Sequence, residues 1–416
     1  MTLTMQKNRR YLMRFYRFLR QIKNISSISV LLFGIILISY QTLMADDWTQ
    51  WRGANRDGIS KETGWSTGEP KQLWKVSVGM GYSSMAVVKD RVYTLGNIDK
   101  EDTIYCLNAN DGSVIWKYTY PCIAEGAGYP GPASTPAVDG DYVYTLSREG
   151  HLFCLGANDG KVMWSKHVEA DFGVKAPDWQ FSSSPLIMDD KLVLAVGKTI
   201  AFDKKSGNPI WETKDYHGGY SSAIAFKHGN KNLLAIFNTL GLVINDAKTG
   251  QELANAEWKT DYSVNAVTPI VYGDNIFISS GYNTGGALYQ FDGKKLTQVW
   301  KNKNMRNHFN SSVLWNGYLY GIDENQLRCL DFNTGAVKWT ERWTGKGSLM
   351  LADGKLIVLG EKGDLAIAEA IPDRYKEIVK AKVLDGLCWT VPVLSNGKIF
   401  CRSHEGDLVC LDVKAK

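Results

Sequence analysis

The side chains best suited to binding chemistry fall in segments that connect predicted β-strands. Indole and phenol rings pack on planar ligands and sugar rings, while amide, imidazole and guanidinium groups supply hydrogen bonds. These segments hold Tyr129, Trp179, Tyr216, His217, Tyr262, Asn265, Arg306, Asn307, His308 and Trp389. We predict that these residues form a ligand-binding surface. The alternative is that the aromatic rings only cap the ends of the strands.

The residue spacings of common catalytic and metal sites are absent from the sequence. Its 6 histidines are not paired at a zinc-binding spacing, and it contains neither Gly-x-Ser-x-Gly nor a phosphate-binding glycine loop. Asp178 and Asp261 could act as a base or a metal ligand, but aspartates in loops are usually solvated turn residues. We therefore predict no catalytic residue and no bound metal.

The positive charge of the chain is concentrated at its N-terminus. The sequence has 48 Lys and Arg residues against 43 Asp and Glu, and seven of the basic ones precede residue 46. Subtracting those seven leaves 41 basic residues against 43 acidic ones, so no basic surface for nucleic acid is expected. An apolar run from Ile28 to Tyr40 follows the basic stretch. This layout predicts a signal peptide or an N-terminal anchor over residues 1–45, and membrane contact only there.

A repeat ending in tryptophan organises the rest of the chain. Its tryptophans recur every 39 to 48 residues, at Trp74, Trp116, Trp164, Trp211, Trp258, Trp300 and Trp339. Between them lie alternating β-type runs joined by Asp-Gly or Asn-Gly turns such as Asp139-Gly140, which are typical of hairpins. Each repeat therefore predicts about four antiparallel strands.

Counting the repeats predicts how they assemble. Units begin near Tyr82, Ala133, Phe181, Tyr220, Asn265, Phe309, Gly347 and Trp389. The seventh unit has Ile378 in place of the tryptophan, and the eighth ends after three strands. A strand from Gln72 to Val76 can complete the eighth unit and close a ring. We predict an all-β fold, an eight-bladed β-propeller of four-stranded antiparallel blades over residues 72–416, with an N-terminal extension at 46–71.

The seven cysteines do not predict a disulfide framework. Cys106, Cys154, Cys329 and Cys410 occupy equivalent places in different repeats, so they should lie far apart as buried thiols. Cys122 and Cys388 lie in connecting segments and are the one pair that we consider for a bridge.

The end of the repeat resembles a known motif. Four of the tryptophans follow a glycine by four residues in Asp/Asn-x-x-Thr/Asp-Gly-x-x-x-Trp, whereas Trp258 and Trp300 depart from that spacing. The pattern resembles the tryptophan-docking motif of pyrroloquinoline-quinone (PQQ)-type propellers, which implies that the repeat tryptophans pack between blades. The segment from Trp48 to Gly58 looks like the leader of exported bacterial PQQ-like propellers. The chain is similar also to the propeller lipoprotein of outer-membrane-protein assembly.

The resemblance implies two functions. PQQ-dependent dehydrogenases hold their cofactor between a tryptophan and a ring of two adjacent disulfide-bonded cysteines, and add calcium and an aspartate base. This sequence has no Cys-Cys pair, and Lys175, Arg306 and Lys346 are scattered cations. We therefore predict a non-catalytic binding or scaffold protein of the periplasm or cell envelope, without cofactor, that binds an envelope protein or a glycan. The alternative is a PQQ-dependent oxidoreductase with an atypical pocket.

Overall fold

Eight β-sheets, each a blade of four antiparallel strands, are present in a computed structural model that describes residues 47–123, 128–343 and 345–414. One of the eight gains a short fifth strand that pairs in parallel. The prediction of an all-β, eight-bladed propeller is confirmed. The predicted signal peptide or anchor at residues 1–45 lies outside the described residues. Among the residues that are described, no helix is long and apolar enough to span a membrane.

The strands follow one another blade by blade. Two strands precede the first blade, β1 (Ile59–Ser60) and β2 (Lys71–Ser77). Blades 1 and 2 contain β3 (Ala86–Val88), β4 (Arg91–Ile98), β5 (Glu101–Asn108), β6 (Val114–Pro121), β7 (Ala137–Asp139), β8 (Tyr142–Leu146), β9 (His151–Gly156) and β10 (Val162–His167). Blades 3 and 4 contain β11 (Leu186–Met188), β12 (Lys191–Val196), β13 (Lys198–Asp203), β14 (Pro209–Glu212), β15 (Ile224–His228), β16 (Lys231–Asn238), β17 (Gly241–Asp246) and β18 (Glu252–Glu257).

The second half of the ring repeats this order. Blades 5 and 6 contain β19 (Ile270–Tyr272), β20 (Asn275–Ser280), β21 (Gly285–Phe291), β22 (Leu296–Asn302), β23 (Val313–Trp315), β24 (Tyr318–Asp323), β25 (Gln326–Asp331) and β26 (Val337–Arg342). Blades 7 and 8 contain β27 (Ser348–Ala352), β28 (Lys355–Leu359), β29 (Asp364–Glu369), β30 (Glu377–Lys382), β31 (Val393–Ser395), β32 (Lys398–Arg402) and β33 (Asp407–Asp412). A short helix, α1 (Val168–Phe172), and a 3₁₀ turn (Asp261–Ser263) lie in connections.

The eighth blade joins the two ends of the chain. β2 pairs antiparallel with β33, with Trp74 opposite Cys410. It is therefore the outer strand of the eighth blade, although it precedes the other three strands of that blade in the sequence. The strand begins at Lys71, one residue before the predicted start. Pairing covers the edge that β33 would otherwise expose.

A β-bulge recurs on the outer strand of every blade, and the residue after it faces the next blade. In the first blade the register shifts between Val114 and Trp116, which leaves Trp116 opposite Cys106. A bulge turns a side chain out of the regular alternation. The residue at this bulge position in each of the eight blades, in sequence order, is Trp74, Trp116, Trp164, Trp211, Ala254, Trp300, Trp339 or Val379.

Five of these six indoles reach a glycine turn of the following blade, and the sixth, Trp339, reaches the Ile371 carbonyl instead. Trp74 Nε1 donates to the Ala109 carbonyl at 3.1 Å, and a Cβ at Gly112 would lie 2.8 Å from the Trp74 ring. Gly112 also has a φ of 74°, so a side chain is disfavoured there by conformation as well as by contact. Equivalent bonds run from Trp116, Trp164, Trp300 and Trp339 to carbonyls of the next blade.

Two predicted positions of the repeat differ from those in the structure. Trp258 lies after β18, where its Nε1 donates to Ser280 Oγ at 3.1 Å, and Ala254 occupies the bulge position instead. The residue at the bulge, Ala254, lies four positions after Gly250, whereas Trp258 lies eight positions after that glycine. In the seventh blade Val379 holds the position that was predicted for Ile378, again because of the register shift.

Short polar side chains link the blades around the central channel. Hydroxyl groups just before the inner strands bond to backbone groups at the equivalent place of a neighbouring blade. For example, Ser184 Oγ accepts from the Thr135 N–H at 2.9 Å, and Ser84 Oγ donates to the Val391 carbonyl at 2.8 Å. The other members of this hydroxyl belt are Ser221, Ser222, Ser311 and Ser348. Because these groups are buried, their hydrogen bonds hold neighbouring blades in a fixed register.

The segment from Trp48 to Glu62 fills the channel. It bonds to β3 through Trp48, pairs in parallel with β27 through β1, and reaches the Asn396-Gly397 turn through the Glu62 carboxylate. Three different blades are therefore connected by one short segment, which we call the channel plug. It lies within the predicted N-terminal extension.

Two fully buried arginines anchor the channel plug. Arg52 donates to the carbonyls of Ser311 and Ser312 in front of β23, and Arg56 donates to those of Ser184 and Pro185 in front of β11. The guanidinium groups thus satisfy backbone oxygens on two separate blades. Such buried donors are tolerated because nearly all of their N–H groups have partners.

All seven cysteines are buried free thiols. The bridge considered between Cys122 and Cys388 is therefore not formed.

Candidate functional site

A cavity of about 230 Å³ opens at the end of the ring where the inner strands begin. Its floor includes Trp51 of the channel plug, whose Nε1 donates to Thr268 Oγ1 at 2.9 Å. Its walls are mainly aromatic, because the residues that precede successive inner strands converge here. We call this cavity the aromatic funnel.

One wall of the aromatic funnel is centred on Trp389. Tyr82 packs in a stacked arrangement 5.6 Å from its ring, Phe309 lies 4.6 Å away and Tyr129 5.7 Å away. Trp389 Nε1 donates to Glu361 Oε1 at 2.8 Å, which fixes the orientation of the indole. The wall therefore presents a pre-arranged aromatic surface to the cavity.

The opposite wall is centred on Trp179. Its ring lies 5.9 Å from Tyr220 and 6.3 Å from Tyr262, both edge to face. Tyr282 lies 5.4 Å from Tyr262 and 4.6 Å from His308, which extends the wall towards the first one. Burial raises the pKa of Tyr220 to about 12, so its hydroxyl stays protonated as a hydrogen-bond donor.

Two cations stand between these walls. Lys346 Nζ lies 5.9 Å from the Trp389 ring and 6.0 Å from Phe309, and the Arg148 guanidinium lies 5.6 Å from Tyr82. Arg148 donates to the carbonyls of Gly131 and Trp179. Neither cation forms an ion pair with a carboxylate within the part of the chain that the structure describes. The aromatic funnel therefore carries two positive charges that no direct ion pair neutralises, although the charge of Asp102 acts on Arg148.

His308 is a neutral acceptor in this site. Lys346 Nζ lies 3.3 Å from its Nε2 and can only donate, so the ring proton is on Nδ1. Nδ1 is 3.9 Å from Glu324 Oε2, beyond hydrogen-bond distance. Burial and then the Lys346 charge lower the pKa of His308 from 6.5 to about 4.

We expect His308 to make the fold less stable in acid. The unfolded chain takes up a proton at this residue near pH 6.5, whereas the folded chain takes it up only near pH 4. The free energy of unfolding therefore falls by up to roughly 3 kcal/mol as the pH drops from about 6.5 to about 4. Thermal melts of the wild type and His308→Asn at pH 7 and pH 4.5 measure it. Equal losses of stability in both proteins would contradict the assignment.

Four residues of the predicted binding set line the aromatic funnel: Tyr129, Trp179, His308 and Trp389. Tyr262 contacts the Trp179 wall. The two asparagines instead hold the backbone. Asn265 Nδ2 donates to the Asn238 carbonyl at 2.8 Å, and Asn307 Nδ2 donates to the Ile322 carbonyl at 2.9 Å. Both side chains are buried and turned away from the cavity.

Three more predicted residues do not line the cavity. Arg306 binds the buried Asp323 through two bonds of 2.8 Å. The Tyr216 hydroxyl donates to Glu252 Oε2 at 2.9 Å, and His217 is exposed with a φ of 61°. These side chains lie in the correct connections, but local hydrogen bonds direct them elsewhere.

Several lining residues were outside the predicted set: Trp51, Tyr82, Arg148, Tyr220, Tyr282, Phe309 and Lys346. Tyr82, Tyr220 and Phe309 mark the beginnings of repeats, so their positions offered a signal. Arg148 lies in the turn between β8 and β9, and Trp51 arrives from the channel plug, so neither is marked by its place in the repeat.

The family model described as outer membrane protein assembly factor BamB matches residues 124–341, which is more than half of the chain. The chain belongs to this family. No curated protein matches the BamB-family chain described here.

Solved structures share the fold of this BamB-family chain at low sequence identity. BamB from Moraxella catarrhalis is 16% identical, covers 84% of this chain and 99% of its own, and has a TM-score of 0.59. The quinohemoprotein alcohol dehydrogenase ADHIIG from Pseudomonas putida HK5 is 14% identical, with 89% and 81% covered and a TM-score of 0.62. The quinohemoprotein alcohol dehydrogenase from Comamonas testosteroni is 11% identical, with 92% and 82% covered and a TM-score of 0.66.

The residues of the aromatic funnel do not fit a PQQ site of the dehydrogenase type. Trp389 and the two cations could face a planar anion, but no described lining residue is a cysteine, an aspartate or a glutamate. The funnel thus offers neither the adjacent-cysteine platform, nor carboxylate ligands for a hard cation, nor a carboxylate base. We derive no catalytic step through PQQ.

Proposed function

We propose that this BamB-family chain is an exported, non-catalytic binding protein of the cell envelope, and that the aromatic funnel is its binding site. The observation that carries this proposal is the pairing of two aromatic walls with two cations that lack carboxylate partners. Aromatic anchors in a concave, partly desolvated site are typical of the energetic centre of an interface.

The charge of the aromatic funnel determines which chemical groups its partner must carry. Lys346 and Arg148 attract an anionic group, and the rings beside them pack against an aromatic or apolar side chain. A segment of an envelope protein that carries a carboxylate next to an aromatic residue satisfies both requirements. A glycan would use the rings but would leave the cations without a partner unless it were acidic.

We expect a photo-crosslinking amino acid at Tyr129 to capture an envelope protein in the cells that make this chain. Trp389→Ala in the same chain should weaken binding by about thirtyfold or more and lower the crosslinked fraction accordingly, because truncating a central aromatic anchor costs at least about 2 kcal/mol. Mass spectrometry identifies the captured species. A carbohydrate alone in the adduct would contradict the proposed partner class.

Tyr272 supplies the matched control position. It is an exposed tyrosine at the other end of the inner strand β19, away from the aromatic funnel. Crosslinking there should not depend on Trp389. A second measurement tests the oxidoreductase alternative: the purified chain with PQQ and calcium should show no spectral change and no dye-linked alcohol oxidation. Stoichiometric retention of PQQ would overturn the proposal of a non-catalytic protein.

A further inference from the structure

A thiol, a carboxylate and an imidazole meet at the junction of blades 1 and 2. Cys122 follows β6, Glu149 lies in the turn between β8 and β9, and His151 begins β9. One ligand atom of each lies within 4.8 Å of the others. In a tetrahedral zinc site such atoms are roughly 3.3 to 3.8 Å apart, so side-chain shifts of about 1 Å would close the set.

Hydrogen bonds already hold the three groups in place. The Cys122 N–H donates to the Lys100 carbonyl at 2.9 Å, and the Ile123 N–H donates to Glu149 Oε1 at 3.0 Å. Ser147 Oγ accepts from the His151 N–H at 2.9 Å and lies 3.1 Å from His151 Nδ1. Hydrogen bonds of this kind orient the side chains that coordinate the metal in known metal sites.

We propose that Cys122, Glu149 and His151 bind a divalent transition-metal ion of the zinc class, with one coordination position left open. The combination of sulfur, nitrogen and one oxygen suits a borderline-soft ion and is unsuited to calcium or magnesium, which take oxygen ligands. Binding replaces the thiol proton of Cys122, which is released to solvent.

The electrostatics of the junction agree with a cation. The buried Asp102 accepts from Asn97 Nδ2 at 2.7 Å and lies beside the thiol, so two carboxylates face Cys122. A divalent ion would offset that negative potential and stabilise the thiolate.

The site would connect metal binding to the aromatic funnel. Arg148 directly precedes Glu149 in the same turn and donates to the Trp179 carbonyl. An ion bound to Glu149 and His151 therefore fixes the turn that presents Arg148 to the funnel. This role is independent of whether the funnel binds a protein partner.

Titration of the reduced, metal-free full chain with Co²⁺ tests the site. We expect a thiolate-to-cobalt charge-transfer band in the near ultraviolet, one equivalent at saturation, and displacement by Zn²⁺. Cys122→Ser should abolish the band, and His151→Gln and Glu149→Gln should weaken binding tenfold or more. Cys154→Ser, which removes another buried thiol of blade 2, is the control that keeps the band.

The outcomes separate a built site from chance binding. A wild-type chain without the charge-transfer band, or a band that persists in Cys122→Ser, would overturn the proposal. Because Cys122→Ser changes a buried residue, circular dichroism of each variant checks folding, and the two glutamine variants retain the thiol.

Discussion

A chain that begins at residue 79 should fail to fold cooperatively, whereas one that begins at Asp47 should melt as a single unit. The shorter chain lacks the channel plug and β2. Trp48, Trp65 and Trp74 are each less than 10% exposed in the structure. Truncating one buried tryptophan typically costs about 3–5 kcal/mol, and a whole domain is stable by only about 5–15 kcal/mol.

Two intermediate variants divide this effect between its sources. A chain that begins at residue 63 keeps β2 and loses the channel plug, and Trp74→Ala in the longer chain keeps both strands and loses the indole at Gly112. We expect each to lower the melting temperature while preserving a cooperative transition. Calorimetry and circular dichroism measure this. Unchanged melting of the chain from residue 79 would show that the ring closes without its N-terminal strand.

Replacing Arg52 by methionine should destabilise the protein by about 3–5 kcal/mol, as expected when one member of a buried charged network is removed. Its guanidinium is fully buried and donates to the carbonyls of Arg56, Asp57, Ser311 and Ser312. Methionine fills part of the volume but leaves those oxygens without a donor, and a buried polar group without a partner is costly.

Denaturant unfolding of Arg52→Met, with Lys71→Ala as the control, measures this effect. Lys71 is an exposed cation on β2, so its removal should change the free energy of unfolding by no more than about 0.5 kcal/mol. Arg52→Lys should fall between them, because an ammonium group cannot reach four carbonyls in the fork geometry of arginine. A methionine variant as stable as the control would mean that the channel plug contributes little to the ring.

Some of the residues that line the aromatic funnel could be predicted from the sequence. Trp179 and Trp389 stood out because they fall outside the tryptophan repeat, and both centre a wall of the cavity. Asn265 and Arg306 occupy equally suitable connections, but an amide or guanidinium pairs with whichever buried group its fold places nearby. That pairing depends on how the strands of the blade fold back on one another, as the contact of Arg306 with Asp323, 17 residues later, shows.

The sequence by itself determined the number of blades, the strand content of each and the closing strand. These features follow from local period, turn chemistry and a recurring tryptophan, all of which can be read from neighbouring residues. Only the tertiary structure decided the bulge register that replaces Trp258 by Ala254, the placement of Trp51 beneath the aromatic funnel and the meeting of Cys122 with His151. The first of these is set where two strands of one blade pair, and the other two join different blades or segments, so none of them can be read from neighbouring residues.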